Sequence, residues 1–418
     1  MPSFEIDGRT YLLNQVKQSL PVLDLLQWLE NNWVYPKVFW KDRDGLVIRA
    51  AVGSLFSFPH VPFFSGTVPF EIRLYGGIRF SEKYHHEDMT WRGFPKTCFW
   101  LPQIELSQKG EITEAIFYSL NEAPCFNNGV FDVETSSPHH SKAYSLLERI
   151  ETPTFKTWKE NVDKVLKVIS SGLLDKLVLA RKTTLQFSQP ISIRGCLNHL
   201  VKQAKSATLF AFQFSPSLCF LGATPEKLFE RTGNALNADI LAGTRPRGLT
   251  PEEDIQLEKE LVNSLKEQRE FTIVKEFLQQ VICPLSQKMQ WDKQDQVFKA
   301  SHVQHIHNRL NATLRGEISD AALIEALHPT PALGGYPREM ASSLLNQIEP
   351  FDRGWYGGPI GVISPKGASL HVAIRSALIR QNSLHLFAGT GIVQGSVPEQ
   401  EWDELEQKIR SFTEFFLN

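Results

Sequence analysis

The sequence predicts an α+β fold in which antiparallel β-sheets are accompanied by helices that are grouped apart from the strands. Strand-like segments dominate residues 70–120 and 175–244, and most of them are joined by short turns. Short turns connect antiparallel neighbours, whereas parallel strands need long crossovers. Helical periodicity is confined to blocks between and after these strands, as in FKTWKENVDKVLKVISSG, which ends at Gly172.

The composition indicates an ordinary globular protein. The chain has 418 residues, of which 42% are hydrophobic and 22% charged, and its formal net charge is −2. We therefore expect no nucleic-acid surface and no acidic tail. The start, MPSFEIDGRTY, lacks the features of a signal peptide, and no apolar run is long enough to span a membrane. Five scattered cysteines without CxxC spacing indicate reduced thiols and a cytoplasmic location.

A broken helix is predicted between Pro251 and about residue 283. Thr250 and Glu253 have the spacing of a capping box at its start. The first apolar stripe consists of Leu257, Leu261 and Leu265, and the second consists of Ile273, Val274, Phe277 and Val281. The stripes point nearly half a turn apart, so one straight helix cannot bury both. We expect a break near 264–268, followed later by a helix over residues 320–328.

The C-terminal segment GSVPEQEWDELEQKIRSF also predicts a helix, with Ser396 and Glu399 as its capping box. An apolar stripe recurs at helical spacing, formed by Trp402, Leu405, Ile409, Phe412 and Phe416. Asp403, Glu406 and Arg410 are interpreted as solvated charges. Glu401, Glu404 and Lys408 share a ridge along the border of the stripe. They form either a surface Glu–Lys pair or a carboxylate pair at the rim of a cleft.

Four further charged residues are candidates for a site, and each has a simpler reading. Glu270 lies in the middle of the second apolar stripe, where a charge needs a partner or a metal, unless it only snorkels from a first turn. Lys176 begins a strand, where a lysine usually lies at the surface. Glu226 follows a Thr-Pro turn at the end of a strand, where a carboxylate is usually solvated. Arg375 lies inside an apolar strand, so it pairs with an acid or receives a carboxylate.

Three Gly-rich segments accompany these charges: LAGT (241–244), YGGPIG (356–361) and AGTGIVQG (388–395). They are interpreted as turns beside strands, where glycine lets backbone N–H groups approach an anion, although each alone is typical of any tight turn. Two or three glutamates suit a hard cation such as Mg²⁺, and lysine and arginine suit an anionic ligand. We therefore expect one site that holds a metal–carboxylate complex.

These motifs resemble those of the chorismate-utilising enzymes, and within them the isochorismate synthases. The match runs in family order through YGGIRF, FWLPQIEL, KLVLAR, FLGATPEKLF, LAGTRPRG, VQHIHNRL, LHPTPALGGYPREMA, FDRGWYGGPIGVIS, HVAIRSALI and AGTGIVQGSVPEQEWDE. It covers most of the chain, although the first seventy residues match less clearly. LHPTPALGG and AGTGIV…PEQEW are the most specific segments.

The resemblance implies one domain over residues 1–418, with an N-terminal half, 1–150, and a catalytic, chorismate-binding half, 151–418. The implied fold is a two-layered antiparallel β-sandwich flanked by outer helices, α/β/β/α. The implied reaction is conversion of chorismate to isochorismate with Mg²⁺, in which water adds at C2 and the C4 hydroxyl leaves. Chorismate is the only partner implied: no nucleic acid, membrane or obligate protein partner is expected.

The resemblance also assigns residues. Lys176 matches the general base and Glu226 the general acid, while Glu270 and Glu404 match the Mg²⁺ ligands, with Glu401 as their neighbour. Ala332 matches a position that lines the ring. The remaining positions match residues that hold the substrate: Gly243, Thr244, His305, His328, Tyr356, Arg375, Gly389, Thr390, Gly391 and Lys408.

Rival activities remain within the family. Lys176 stands where anthranilate synthases carry Gln, and Ala242 stands where aminodeoxychorismate synthases carry a nucleophilic Lys, so both amination reactions are disfavoured. A salicylate synthase, which also eliminates pyruvate, is separated only by YGGIRF and PEQEWDE. A non-enzymatic anion-binding protein is disfavoured because Lys176 and Glu226 are present. Menaquinone biosynthesis is the pathway that the resemblance favours, with a siderophore or salicylate pathway as the alternative.

Overall fold

The computed structural model describes residues 3–66, 68, 71–81, 88–120, 144–204, 206–300 and 302–417. Eight α-helices are present in these ranges: α1 (Leu25–Asn31), α2 (Phe155–Ser170), α3 (Ile193–Gln203), α4 (Pro251–Asn263), α5 (Leu265–Ile282), α6 (Asp320–Leu327), α7 (Arg338–Ile348) and α8 (Pro398–Leu417). A 3₁₀ turn spans Met89–Trp91. No helix in the described part of the chain is both long and apolar enough to cross a membrane.

The strands before α2 are β1 (Ser3–Ile6), β2 (Arg9–Leu12), β3 (Asn14–Leu20), β4 (Lys37–Lys41), β5 (Val47–Val52), β6 (Phe56–Phe58), β7 (Phe64–Ser65), β8 (Leu74–Ile78), β9 (Thr97–Leu101), β10 (Ile104–Lys109), β11 (Ile112–Ser119) and β12 (Leu146–Thr152). Those after α2 are β13 (Lys176–Phe187), β14 (Thr208–Ser215), β15 (Leu218–Thr224), β16 (Lys227–Thr232), β17 (Ala235–Pro246), β18 (Ser286–Trp291), β19 (Gln296–Lys299), β20 (Val303–Leu314), β21 (Gly335–Tyr336), β22 (Pro359–Ser364), β23 (Gly367–Val372), β24 (Ser376–Arg380) and β25 (Ser383–Ile392).

The strands form three antiparallel sheets. A 12-stranded sheet has the order β12-β13-β25-β24-β15-β14-β4-β5-β10-β11-β3, with β21 beside β13. A 10-stranded sheet has the order β18-β20-β17-β16-β23-β22-β8-β9-β6, with β19 beside β20. A small sheet has the order β2-β1-β7. Both large sheets combine strands from before and after residue 150. The assignment of residues 1–418 to one domain stays a prediction.

The two large sheets pack face to face, and aromatic side chains fill the space between them. The rings of Trp100 (β9) and Phe212 (β14) are 5.9 Å apart, and those of Trp40 (β4) and His371 (β23) are 5.5 Å apart. Helices α1, α2, α3 and α8 cover the outside of the 12-stranded sheet, and α4 and α5 cover that of the 10-stranded sheet. The predicted α+β sandwich with outer helices is therefore confirmed.

The local predictions for the helices are largely confirmed. Helix α2 ends at Ser170, and Gly172 beyond it adopts φ +77°. The expected break falls at Ser264, which ends α4 and also caps α5, because its hydroxyl accepts a hydrogen bond from the Glu267 N–H. Helix α6 begins at Asp320, as expected. Helices α3 and α7 lie in segments for which no helix was predicted.

Two predictions about strands were wrong. Arg375 does not lie inside a strand: it follows β23 and precedes β24 with φ +50°, at the point where the chain passes from one large sheet to the other. LAGT and the first half of AGTGIVQG are not turns, because they belong to β17 and β25. Gly243 forms a bulge in β17, with φ +72°, and the Gly389–Gly391 segment pairs regularly with β13.

The predicted cap of the last helix was also wrong. The Ser396 hydroxyl accepts a hydrogen bond from the Val393 N–H instead of an N–H of α8, and the Glu399 carboxylate pairs with Lys159. Glu406 is not an ordinary solvated charge either, since it contacts the buried guanidinium of Arg181 at 2.6 Å. The polar stretch VETSSPHHSKAYS, residues 133–145, is a candidate domain boundary by its composition, and it lies almost entirely outside the described residues.

Candidate active site

A pocket opens between the two large sheets. Most of the predicted site residues line it: Glu226, Gly243, Thr244, Glu270, His305, Ala332, Tyr356, Arg375, Gly389, Gly391 and Lys408. They come from β17, β20, β25, α5, α8 and several connections. The fold thus gathers residues that are up to 182 positions apart in sequence, as shown by the span from Glu226 to Lys408.

Two crossovers between the large sheets deliver the most functional side chains. The chain leaves β15 of the 12-stranded sheet and enters β16 of the 10-stranded sheet through Pro225 and Glu226. It returns from β23 to β24 through Ala373–Arg375. A residue in such a crossover points along neither sheet surface, so its side chain is free to enter the space between the layers. Glu226 and Arg375 both line the same pocket.

The first ion pair of the site joins Lys176 and Glu270. The Lys176 Nζ lies 2.7 Å from Glu270 Oε1, and the Lys176 side chain has no exposed surface. Burial would raise the pKa of Glu270, but the charge and hydrogen bond of Lys176, together with the charge of Lys266, lower it. A Cβ at Gly391 would lie 2.6 Å from Glu270 Oε1 and 2.7 Å from Lys176 Cε. Gly391 is needed because no side chain fits between this pair and the pocket.

Four glutamates face each other across helices α5 and α8, and each has its own cation. Glu270 is paired with Lys176, and Glu404 with Lys408 at 2.5 Å. The outer two, Glu267 and Glu401, pair with Arg245 and Lys266, both at 2.5 Å. Burial and the neighbouring carboxylates raise the pKa of both Glu267 and Glu401. The cluster therefore holds its negative charge only because a cation accompanies each member.

Three members of this cluster, Glu267, Lys266 and Arg245, were missed by the sequence analysis. Glu267 is 1% exposed and its Oε2 accepts a hydrogen bond from the Thr244 N–H at 3.0 Å, which ties α5 to the bulge of β17. Lys266 precedes it and reaches Glu401 of α8. A signal was available: Glu267 and Glu270 repeat the i, i+3 spacing of Glu401 and Glu404. Each helix presents two carboxylates on one face.

Glu226 occupies a different electrostatic environment. Its side chain faces the pocket, and the residue is 6% exposed. Burial raises the pKa of its carboxyl to about 7; Lys176 opposes this effect, and the charge of Asp239 adds to it. Its main chain is fixed, because the Thr224 hydroxyl accepts from the Glu226 N–H and the Val372 N–H donates to the Glu226 carbonyl. Near neutral pH this carboxyl can hold a proton and give it up.

Arg375 and His305, which also line the pocket, form a second polar unit. His305 Nδ1 lies 3.0 Å from the Gly243 carbonyl and therefore carries the proton, so Nε2 accepts from the Arg375 guanidinium at 3.3 Å. Burial, together with the charges of Arg375 and Lys408, lowers the pKa of His305 to about 3. The imidazole is thus neutral and orients the arginine. Burial also lowers the pKa of Arg375 to about 10, so it remains a cation.

Comparison with known proteins places this geometry in a family. The family described as "Chorismate binding enzyme" matches residues 65–416. The chain belongs to the chorismate-binding enzymes. Isochorismate synthase MenF of Haemophilus influenzae is 32% identical over 96% of this chain and 91% of its own length. The salicylate biosynthesis isochorismate synthase of Pseudomonas aeruginosa is 32% identical over 83% of this chain and 74% of its own length.

Solved structures of chorismate-binding enzymes agree with the fold. The menaquinone-specific isochorismate synthase MenF of Escherichia coli superimposes with a TM-score of 0.83 at 25% identity, over 97% of this chain and 95% of its own. Anthranilate synthase component I of Streptococcus pneumoniae superimposes with a TM-score of 0.73 at 19% identity, over 88% and 92%. The second likeness concerns the fold alone.

Five predicted residues of this chorismate-binding enzyme do not line the pocket. Lys176, Glu404, Glu401 and Thr390 lie behind the pocket wall, and His328 donates from Nε2 to the Phe80 carbonyl at 2.9 Å. The Thr390 hydroxyl lies 2.5 Å from Glu401 Oε2 and 3.0 Å from Glu404 Oε1. The Glu401 carboxylate is also bound to Lys266.

The acidic cluster fits a hard divalent cation in its donor chemistry. All candidate ligands are carboxylate oxygens, as Mg²⁺ prefers. The charges of Glu270 and Glu404 interact, and the Glu404 carboxylate opposes ionisation of Glu270 by raising its pKa. Among the described residues, no three Asp, Glu, His or Cys side chains form a complete set of ligands. Glu270 and Glu404 are each also paired with a lysine.

Proposed function

We propose that this chain converts chorismate to isochorismate in the presence of Mg²⁺. The observation that carries the proposal is the position of Glu226: a carboxyl with a pKa of about 7 faces the same pocket as Arg375 and Lys408. Chorismate has two carboxylates and a ring hydroxyl that must leave. The pocket provides cations that can bind the carboxylates and an acid that can protonate the hydroxyl. The isochorismate synthases among its relatives support the same assignment.

Glu226 acts as the general acid in this proposal. Hydroxide is a poor leaving group, so the C4 hydroxyl needs a proton as its bond to the ring breaks. Protonated Glu226 supplies it, and the hydroxyl departs as water. Meanwhile a second water adds to C2 and gives its proton to Lys176, so water is consumed at one carbon and released at the other. The protons that Glu226 loses and Lys176 gains are exchanged with solvent after product release.

The role of Lys176 as base depends on Glu270. Lys176 donates a hydrogen bond to Glu270 Oε1 in the ion pair. When the Glu270 carboxylate takes another partner, Lys176 can give one ammonium proton to solvent, and its nitrogen then accepts the proton of the attacking water. Glu270 and Glu404 would hold Mg²⁺, which when bound neutralises and orients the ring carboxylate. Metal binding and activation of the base are therefore linked through one carboxylate.

The remaining pocket residues bind and orient the substrate in this proposal. Arg375, held by His305, and Lys408, held by the Gly389 carbonyl at 2.8 Å, present two cations to the enolpyruvyl carboxylate. The Tyr356 ring stacks on Phe387, with centroids 5.4 Å apart, and closes one side of the pocket. Gly389 leaves room there, since a Cβ would lie 3.0 Å from the Tyr356 hydroxyl. Ala332 lines the ring position.

Product analysis from chorismate, with and without Mg²⁺, tests the proposal. Isochorismate formed only with Mg²⁺ is the expected result. Formation of salicylate and pyruvate would assign the chain to salicylate synthesis, and anthranilate formed with ammonia would assign it to amination. Binding of chorismate without any turnover would make it an anion-binding protein. A supply role in menaquinone biosynthesis and a cytoplasmic location belong to the same proposal, supported by the E. coli structure and by Cys98, Cys196, Cys219 and Cys283 as free thiols.

A further inference from the structure

A hairpin turn from the N-terminal part of the chain lies next to the Glu226 crossover. Strands β4 and β5 are joined by residues 42–46, and β4 pairs with β14, which pairs with β15. The registers place Lys41 beside Leu209 and Leu209 beside Ala223. The β4–β5 turn and the C-terminal end of β15 therefore lie at the same end of these neighbouring strands. Arg43, in this turn, is thus brought within reach of the crossover.

Arg43 joins that crossover to the other sheet. Its Nη2 donates to the Pro225 carbonyl, and its Nη1 donates to Asp239 Oδ2 at 2.7 Å. Asp239 lies on β17 of the 10-stranded sheet, and its side chain is 1% exposed. The guanidinium also lies over the Phe298 ring, 5.3 Å from its centroid. A planar guanidinium makes these contacts simultaneously, whereas an ammonium group is a single point of attachment.

We propose that Arg43 is a positioning residue, which fixes the Pro225–Glu226 turn, and with it the Glu226 carboxyl, by binding the Pro225 carbonyl while anchored to Asp239. The inference rests on the proposed function of Glu226 as an acid. Pro225 and Glu226 both line the pocket, so a shift of this carbonyl displaces the acid directly. Arg43 itself does not line that pocket, and it acts only through the turn.

Charge provides a second link between Arg43 and Glu226. The groups that act on Glu226 are Lys176 from β13, Asp239 from β17, Lys408 from α8 and Arg375 from the β23–β24 crossover. Burial would raise the pKa of Asp239, but His307, Arg43 and Arg309 lower it well below its usual range, so Asp239 is ionised. Removing Arg43 leaves this negative charge less compensated. The pKa of Glu226 then rises further, because Asp239 already raises it.

Arg309 provides a matched control. Its Nε donates to Asp239 Oδ1 at 3.1 Å, so Arg309→Ala also removes one cation from Asp239, but Arg309 has no hydrogen bond with Pro225. Arg43→Ala is expected to lower the plateau kcat by about ten- to a hundredfold, the usual cost of a misplaced catalytic group. Arg309→Ala is expected to retain the plateau. In both variants the pKa of Glu226 should rise, so the decline of kcat on the alkaline side of its pH profile moves to higher pH.

Arg43→Lys separates charge from geometry. The lysine restores the cation, so the alkaline decline of kcat returns towards that of the wild type, while the plateau kcat stays below it. A wild-type plateau in Arg43→Ala, or an equal loss in Arg309→Ala, would overturn the inference. Thermal unfolding of each variant shows whether the protein as a whole is less stable. Such a loss of stability does not by itself shift the alkaline decline of kcat.

A measurement that needs no turnover keeps this inference separate from the proposed function. Infrared difference spectra between the wild type and Glu226→Gln report the protonation of the Glu226 carboxyl. Repeated in the Arg43→Ala background, the titration midpoint should rise. An unchanged midpoint refutes the electrostatic link even if chorismate is not the substrate. Conversely, a wild-type chain that turns over chorismate while Arg43→Ala is unaffected refutes the positioning role alone.

Discussion

The ammonium group of Lys176 and the carboxylate of Glu270 are 2.7 Å apart, beside Gly391, where a Cβ would lie 2.6 Å from Glu270 Oε1 and 2.7 Å from Lys176 Cε. Neither group is a spare surface charge, because the lysine side chain is fully buried and the glutamate is 15% exposed. The pair connects strand β13 with helix α5, and hence one large sheet with the helices on the other. It serves both the fold and the proposed reaction.

Breaking this pair on one side should destabilise the protein. Lys176→Met leaves the Glu270 carboxylate buried without its main counter-charge, and we expect a loss of about 3 kcal/mol in the free energy of unfolding, within the range for broken buried pairs. The double variant Lys176→Met/Glu270→Gln should recover most of this loss. Both variants should lack activity, since both lack the base.

Chemical denaturation of the two single variants and the double variant provides the coupling energy. Chorismate binding, followed by calorimetry, should remain measurable in Lys176→Met, because Arg375 and Lys408 are intact. Turnover at the wild-type rate in Lys176→Met would rule out its role as base.

Gly391→Ala tests whether the space in front of the pair is essential. The added methyl group would lie 2.6 Å from Glu270 Oε1, so either the glutamate or the strand must move. We expect kcat to fall by about a hundredfold, because displacements of about 1 Å have such effects. Gly389→Ala is the graded comparison, since its Cβ would contact the Tyr356 hydroxyl at 3.0 Å and requires a smaller adjustment. Equal activity of Gly391→Ala and the wild type would show that the pair is not needed.

The parts of this site that could be predicted from sequence depend on local patterns or on family motifs. The shift between two apolar stripes is local to about thirty residues, and it correctly placed the break between α4 and α5 at Ser264. The family motifs identified the residues around the pocket, of which Glu226, Arg375 and Lys408 line its wall. None of these inferences required knowledge of which strands are neighbours.

The parts that failed depend on long-range pairing. Arg375 looked like a strand residue because the apolar residues on both sides of it belong to strands, but those strands belong to different sheets. Lys266 was missed as the partner of Glu401, because only the tertiary contact between α5 and α8 brings the two together. Arg43 has no sequence signal, because its partners Pro225 and Asp239 lie about 180 and 200 positions away.

Thr390→Val tests whether the residues behind Glu404 affect metal binding. The variant removes the hydroxyl that contacts both Glu401 and Glu404, while keeping the shape of the side chain. We expect Mg²⁺ affinity, measured by calorimetry, to fall by about ten- to a hundredfold, as is usual for groups that orient metal ligands. Thr183→Val is the control, since the Thr183 hydroxyl is buried and has no hydrogen-bond partner among the described residues. An unchanged affinity in Thr390→Val would remove Glu404 from the ligand set.

Glu226→Gln should lower kcat and raise the free energy of unfolding. The variant cannot donate a proton, so kcat should fall by about 10²- to 10⁴-fold. In the wild type, kcat should decline above pH 7 as the carboxyl, with its pKa of about 7, loses the proton that the reaction needs.

The stability effect has a defined sign. Because the folded pKa of Glu226 lies above its usual value of 4.5, the native chain binds this proton more tightly than the unfolded chain. The wild type therefore loses stability as the pH rises from about 4.5 to about 7, and Glu226→Gln does not. A shift from 4.5 to about 7 corresponds to about 3 kcal/mol, so the variant should be more stable by up to that amount above pH 7 and equal to the wild type near pH 4. Urea denaturation at both pH values measures this difference, and equal stability at pH 8 would contradict the burial of an ionised Glu226.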